Sequence, residues 1–175
     1  MNVVKTIAMI ALVAVVGDCF AAAPQLKASE SVTINAPVSA VWDKVKSFDG
    51  LNNWHPAVAR DEIVEGNNDE AGAVRLLTLK DGGTIKEKLL GFDDTGHSFK
   101  YTILEGVLPV SGYTSTLRVK SAGKGVSKVI WSGTFKRKDT GDKPADNADD
   151  KTATTTISGV YRGGLDNLKT LVEAK

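Results

Sequence analysis

The chain has 175 residues, of which 42% are hydrophobic and 25% charged, and its formal net charge is +1. This composition is typical of one ordinary globular domain and excludes a disordered or fibrous chain. The near-neutral balance indicates neither a basic protein that coats nucleic acid nor an acidic one, so we expect no nucleic-acid partner.

The first residues are predicted to be a signal peptide. Lys5 precedes the apolar run Ile7–Val16, which is shorter than the ~20 residues that cross a bilayer, and small residues follow. We expect the leader to be residues 1–22, followed by a short linker over residues 23–30 and a single domain over residues 31–175. This predicts a periplasmic protein without a membrane span in its mature form; the alternative is an uncleaved membrane anchor.

The folded domain is predicted to open with a short strand and a helix. Val32 and Ile34 alternate with polar residues, as in a half-buried strand. Pro37 suits the first turn of a helix, and apolar residues follow at helical spacing. Gly50 is a plausible stop, and Pro56 excludes helical backbone at the residue before it.

The middle of the chain alternates with a period of two and predicts six or seven antiparallel strands. Asp81–Gly82 gives a strong hairpin signal between two of them. A polar loop is expected over residues 139–151, because this composition cannot form a core. A long amphipathic helix should follow, in which Gly163 and Gly164 indicate a kink or a close approach of the backbone.

These elements predict an α+β fold in which a curved antiparallel sheet wraps around the long C-terminal helix. Side chains alternate along strands, so Glu87, Tyr101 and Tyr113 share the inner face with apolar residues. Scattered polar groups among apolar walls are typical of a small-molecule site. The alternative is that each is a hydrogen-bonded polar group of the core, or lies at a strand end in water. Glu105 has the same parity and completes the polar set.

The loop between two of the predicted strands is unusually apolar. It contains Leu108 and Pro109, and proline cannot donate a hydrogen bond to a sheet. The loop could close over a bound ligand at the rim of a cavity. It could equally pack against the C-terminal helix.

The ordered set of these segments resembles the SRPBCC superfamily, which has the START-like or helix-grip fold. The likeness covers residues 31–174 and rests on the segments SVTINAPVSAVWDKVKSFDGLNNWHPAV, YTILEGVLPVSGYTSTLRV, KVIWSGTFKR and GVYRGGLDNLK. Within that superfamily the chain is similar to the polyketide cyclase/dehydrase-like branch, and most similar to the MxaD-like periplasmic accessory proteins of methanol dehydrogenase systems. The polar loop at 139–151 is longer than in many members.

The resemblance implies a hydrophobic cavity between the sheet and the last helix. We therefore expect a non-catalytic protein that binds a small apolar molecule, assists a periplasmic dehydrogenase or cytochrome, or does both, without a cofactor or metal. The expected cavity residues are Trp54, His55, Arg75, Glu87, Leu89, Tyr101, Ile103, Leu108, Pro109, Tyr113, Leu117, Trp131, Tyr161 and Leu165.

An enzyme remains the alternative, since a cyclase or dehydratase needs an acid and a base near its substrate. Glu87, Tyr101 and Tyr113 are candidates, with His55 and Arg75. The only cysteine, Cys19, lies in the predicted leader and leaves no thiol nucleophile in the mature chain. His55 has no partner at metal-ligand spacing, so we expect it to form a structural corner or a polar rim, with neighbouring Trp54 as the wall or lid of the cavity.

Overall fold

The computed structural model describes residues 23–141 and 143–174. These residues form seven strands, two helices and one further helical turn at Leu51–Asn53. The predicted signal peptide, residues 1–22, lies outside the described residues.

The strands in chain order are β1 Leu26–Ile34, β2 Val58–Glu65, β3 Val74–Leu79, β4 Thr84–Asp93, β5 Ser98–Gly106, β6 Val110–Gly123 and β7 Val126–Arg137. The helices are α1 Val38–Val45, which follows β1, and α2 Asp150–Glu173, which follows β7.

The seven strands form one antiparallel sheet in the order β1-β7-β6-β5-β4-β3-β2. The sheet curves around α2, which packs mainly on β1 and β7, so the predicted helix-grip architecture is confirmed. The predicted linker over residues 23–30 needs correction, because β1 begins at Leu26 and pairs with β7 along its whole length. The alternation of apolar and polar residues does not predict the first half of β1, Leu26–Glu30, because only Ala28 in it is buried.

Local sequence sets the geometry of β2, β3 and β4. Gly82 has a φ of 90°, which the turn between β3 and β4 requires, and the hairpin places Arg75 directly opposite Glu87. β2 carries a register shift between Val58 and Arg60. In a regular strand, Val58 and Asp61 would face opposite sides of the sheet. The extra residue reverses the alternation of side chains, so both face the interior.

Helix α2 begins where the polar loop ends. The Asp149 carboxylate accepts a hydrogen bond of 2.7 Å from the Thr152 amide, as a helix N-cap does. The helix runs unbroken through Gly163 and Gly164, so of the two expectations for these glycines the close approach is the one observed. Within the described residues, no helix has both the length and the hydrophobicity that crossing a bilayer demands.

Candidate functional site

A narrow cavity lies between the inner face of the sheet and α2. Its volume is about 70 Å³, and its surface is almost entirely apolar. The residues that line it come from the turn after α1, from β2 to β7 and from α2: Leu51, His55, Ala57, Val58, Leu77, Leu79, Ile85, Glu87, Tyr101, Leu108, Tyr113, Trp131, Ile157 and Val160.

Six of the fourteen residues expected at the cavity lie on its wall: His55, Glu87, Tyr101, Leu108, Tyr113 and Trp131. Arg75, Leu89, Leu117, Tyr161 and Leu165 are fully buried behind that wall. Ile103 lines a second, outer groove, and Pro109 lies in the loop between β5 and β6.

Of these two neighbours, His55 lies on the cavity wall as expected, whereas Trp54 does not. The Trp54 indole is buried against Trp131, with ring centroids 5.5 Å apart, and borders a shallow surface groove beside α2. His55 borders that groove too, but it also reaches the inner cavity. Trp54 therefore supports the wall from behind, and His55 is part of it.

His55 ties the corner after α1 to helix α2. Its Nδ1 accepts a hydrogen bond of 3.2 Å from the Ala57 amide, so Nε2 carries the proton and donates to the Val160 carbonyl at 3.0 Å. Burial lowers the pKa of His55, against an upward effect of the Val160 carbonyl. The imidazole is neutral with both nitrogens occupied, which makes it a structural residue.

Gly164 allows this contact. A Cβ at that position would lie 2.5 Å from His55 Cδ2 and 3.0 Å from Trp131 Cζ3, closer than packed atoms approach. At Gly163 a Cβ would meet nothing within 4 Å. The two glycines therefore have different roles, and only Gly164 is required where α2 crosses the sheet.

A chain of buried hydroxyl groups crosses the interior beside the cavity. Trp131 Nε1 donates to the Tyr101 hydroxyl at 2.9 Å, which lies 3.2 Å from the Tyr113 hydroxyl. The Tyr113 hydroxyl is 2.7 Å from that of Tyr161, which is 2.9 Å from Ser115 Oγ. Ser115 Oγ donates to the backbone carbonyl of Ser132 at 2.9 Å. We call these five side chains, Trp131, Tyr101, Tyr113, Tyr161 and Ser115, the hydroxyl chain.

The direction of donation along the hydroxyl chain is fixed. A carbonyl only accepts, so Ser115 gives its one proton to Ser132 and must accept from Tyr161. By the same reasoning Tyr161 accepts from Tyr113, and Tyr113 accepts from Tyr101. Five donors thus make five hydrogen bonds, and none is left for another molecule.

The tyrosines of the hydroxyl chain are neutral. Burial raises the pKa of Tyr161 to about 12 and raises those of Tyr101 and Tyr113 further above the ordinary value. A hydroxyl with so high a pKa is a poor general base near neutral pH. These residues orient and support the wall.

A charged cluster adjoins the cavity next to the hydroxyl chain, with the Arg75 guanidinium carbon 5.5 Å from the centre of the Tyr101 ring. Arg75 Nε and Nη2 both donate to Glu87 Oε2, at 2.8 and 2.6 Å. Arg75 Nη1 donates to the Phe48 carbonyl and lies 3.3 Å from Asp61 Oδ2, while the guanidinium carbon sits 4.2 Å from the centre of the Phe48 ring. We call Arg75, Glu87 and Asp61 the charged cluster.

Ionisation within the charged cluster is uneven. Burial raises the pKa of Asp61 to about 6, against the effect of Arg75, and it also raises the pKa of Glu87. Burial alone would lower the pKa of Arg75, but the two carboxylates raise it above its ordinary value. Asp61 Oδ1 is buried with no hydrogen-bond partner among the described residues. Two carboxylates therefore share one guanidinium.

An outer groove lies on the other side of the loop between β5 and β6. Its volume is about 520 Å³, and Leu108 and Tyr113 line both this groove and the inner cavity. Val107, next to Leu108, is 55% exposed. Leu108 is therefore a thin wall between the two spaces.

Eight cavity residues escaped the prediction: Leu51, Ala57, Val58, Leu77, Leu79, Ile85, Ile157 and Val160. Ile157 and Val160 belong to the apolar stripe of α2, and Ile85 has the inner parity of its strand, so a signal was present for these. The complete set of wall residues, however, depends on how the strands and the helix pack together, which the pattern of a single segment does not show. Asp61 of the charged cluster was hidden by the register shift in β2.

The outer face of the sheet carries many cations: Lys27, Lys88, Lys100, Arg118, Lys120, Lys128 and Lys136. None of them forms an ion pair with another described residue. Lys120 and Lys128 even lie directly opposite each other on β6 and β7, a destabilising arrangement of like charges. The near-neutral net charge conceals this basic face.

No group of three or more potential metal ligands occurs in the part of the chain that the structure describes.

Comparison with known proteins places residues 25–173 within the profile of the family described as polyketide cyclase / dehydrase and lipid transport. The solved structure of the protein XoxI from Bacillus cereus is 30% identical, with a TM-score of 0.75, and the match covers 85% of this chain and 96% of that one. The crystal structure of Ara h 8.0201 is 23% identical, with a TM-score of 0.68 over 87% of this chain and 100% of that one, a likeness of fold alone.

Among curated proteins, the abscisic acid receptor PYL10 from Arabidopsis thaliana is 33% identical over 91 residues, which is 50% of this chain and 49% of the receptor. The abscisic acid receptor PYL2 from the same plant is 28% identical over 109 residues, 58% of this chain and 57% of the receptor. The chain spans about half the length of the curated relatives it matches.

Proposed function

We propose that this chain, which belongs to the polyketide cyclase / dehydrase and lipid transport family, is a non-catalytic protein that binds a small apolar molecule between its sheet and α2. The observation that carries the proposal is the apolar cavity with a few polar groups on its wall. The likeness to proteins described as abscisic acid receptors supports a small-molecule ligand.

The cavity must enlarge to hold a ligand of ordinary size. Its volume of about 70 Å³ is below the roughly 300–1,000 Å³ of typical ligand sites. Displacement of Leu108 joins it to the outer groove of about 520 Å³, because this side chain lines both spaces. We therefore place the ligand entry at the loop between β5 and β6.

The chemistry of the wall favours binding over catalysis. The donors of the hydroxyl chain are all engaged, both nitrogens of His55 are occupied, and the raised pKa values of the tyrosines make them poor bases. Glu87 is the one group that a cyclase or dehydratase could use as a base, so the enzymatic alternative depends on this residue.

Native mass spectrometry of the protein purified from its source tests the binding proposal, and a co-purifying apolar molecule is the expected result. Leu108→Trp should block the entry and lower ligand occupancy at least fivefold. Leu90→Trp is the matched control, because Leu90 is 44% exposed on β4 and lines neither space. A protein that is empty from its source, and that also binds no apolar probe in solution, contradicts the proposal.

We also propose an accessory role in the periplasm, as in the MxaD-like proteins that the sequence resembles. The basic outer face of the sheet supports it, since unpaired cations attract an acidic partner such as a dehydrogenase or a cytochrome. Capture from periplasm at low salt should recover such a partner. Lys100→Glu with Arg118→Glu should abolish capture, whereas Lys44→Glu on α1 should leave it intact; recovery of no acidic partner contradicts this role.

A further inference from the structure

We infer that the part of the ligand that enters the inner cavity carries a protonated amine, which binds the free oxygen of Glu87, and that this cavity rejects carboxylates. This inference rests on the proposed binding function and names the class of molecule that the cavity accepts. It follows from a count of the donors, acceptors and charges on the cavity wall.

With Glu87 ionised, the wall has no hydrogen-bond donor to offer. Trp131 Nε1, the Tyr101 hydroxyl and the Tyr113 hydroxyl each give their proton to the next member of the hydroxyl chain. His55 gives its only proton to the Val160 carbonyl. The other ten residues of the wall are apolar apart from Glu87. A carboxylate that entered the cavity would lose its hydration and find no donor to replace it.

The wall does offer an acceptor. Both hydrogen bonds from Arg75 to Glu87 end on Oε2, and Oε1 accepts none from the described residues. Oε1 is not among the side-chain atoms that are sealed off without a partner, and the Glu87 side chain lines the cavity. Oε1 is therefore accessible from the cavity and suited to a donor on the ligand.

The charges of the site point to a cation rather than a neutral donor. With all three groups ionised, the charged cluster holds one positive and two negative charges, and Arg75 is the only cation paired with either carboxylate among the described residues. The neutral His55 adds no charge to the site. An ammonium group at Oε1 balances the excess negative charge, whereas a carboxylate doubles it.

The test is the binding of four small probes to the wild-type protein: hexylamine, 1-hexanol, hexanoate and toluene. The readout is the indole N–H resonance of Trp131, which lines the cavity together with Glu87 and is assigned with Trp131→Phe. Hexylamine should bind at least tenfold more tightly than hexanoate, with 1-hexanol between them. Binding of hexanoate as tightly as hexylamine overturns the inference.

The four probes also distinguish failure of this inference from failure of the proposed binding function. If toluene binds but hexylamine has no advantage over hexanoate, the inference fails and the apolar binding site stands. If none of the four probes shifts the resonance, the inference fails, and the binding function fails with it when the protein from its source is also empty.

A substitution then tests whether Glu87 is the source of the preference for hexylamine over hexanoate. Glu87→Gln keeps the shape of the side chain but removes its charge, so the advantage of hexylamine over hexanoate should fall at least tenfold. Glu70→Gln, an exposed residue outside both spaces, should leave the ratio unchanged. Should Glu87→Gln not fold, Asp61→Asn removes one charge of the cluster without touching the wall and should lower the ratio severalfold; an unchanged ratio in the folded variant contradicts the role of the excess charge.

Discussion

The hydroxyl chain and the charged cluster border the same cavity, but their buried polar groups are stabilised in different ways. In the hydroxyl chain, five donors meet five acceptors in one direction, and every member is neutral. In the charged cluster, two carboxylates share Arg75, and Asp61 keeps an unpartnered oxygen. The first is complete without a ligand, whereas the second has capacity left for one.

The difference indicates where stability and where responsiveness reside. A fully satisfied network rigidifies the interior and has no reason to change when a ligand enters. A cluster with excess charge is sensitive to protons, to cations and to loss of its one guanidinium. Variants in and around the two regions should therefore differ in size of effect and in dependence on pH.

The largest expected effect follows from Arg75→Met. This change leaves Glu87 and Asp61 buried without a counter-ion, and removing one partner of a buried ion pair costs about 3–5 kcal/mol. Urea unfolding at pH 7 measures it. Arg60→Met is the control, because its pair with Glu62 is exposed and worth less than about 1 kcal/mol. Equal losses in the two variants contradict the importance of the cluster.

A smaller effect is expected where α2 meets the start of the hydroxyl chain. Gly164→Ala forces a methyl group against His55 and Trp131 and should lower the free energy of unfolding by about 1–3 kcal/mol, as overpacking does. Gly163→Ala, one residue away and facing open space, should raise it by up to about 1 kcal/mol. Thermal or urea unfolding of the two variants gives opposite signs; the same sign for both is inconsistent with the packing described.

A further effect is a dependence on pH. Burial raises the pKa of Asp61 from 3.8 to about 6, so the folded state binds the proton more tightly than the unfolded state does. The free energy of unfolding should therefore fall as the pH rises from about 4 to 6, with a slope of at most about 1.4 kcal/mol per pH unit from this group. Glu87 acts in the same direction, since its pKa is also raised.

Asp61→Asn should flatten this slope, because the amide does not titrate. Urea unfolding at pH 4, 5, 6 and 7 measures the difference between the variant and the wild type. Asp43→Asn on the exposed face of α1 is the control and should leave the profile as it is. A wild-type protein that gains stability between pH 4 and 6 through Asp61 contradicts the assignment.

The sequence predicted the architecture well because its signals are local. Alternation along strands, the Asp81–Gly82 turn and the apolar stripe of α2 each reflect burial of nearby residues, and the structure confirms the sheet and the long helix that they predict. Even the pairing of Arg75 with Glu87 was within reach, since counting outward from the turn sets the two opposite each other.

The site was harder to predict because it depends on contacts between distant segments. The role of His55 is decided by Val160, 105 residues away, and by the absence of a side chain at Gly164. Asp61 was missed because one extra residue in β2 reverses which side chains face inward. Parity along a strand does not reveal such a shift, and it does not show which buried polar groups satisfy each other.

The close fit of Gly164 under His55 has a mechanical consequence. Since no side chain separates α2 from His55 and Trp131, and since His55 is also bonded to Val160, the helix can neither rotate nor slide without breaking both contacts. α2 is thus the immobile wall of the cavity. If the protein binds a ligand as proposed, its entry therefore depends on movement of the loop that carries Leu108 rather than on movement of α2.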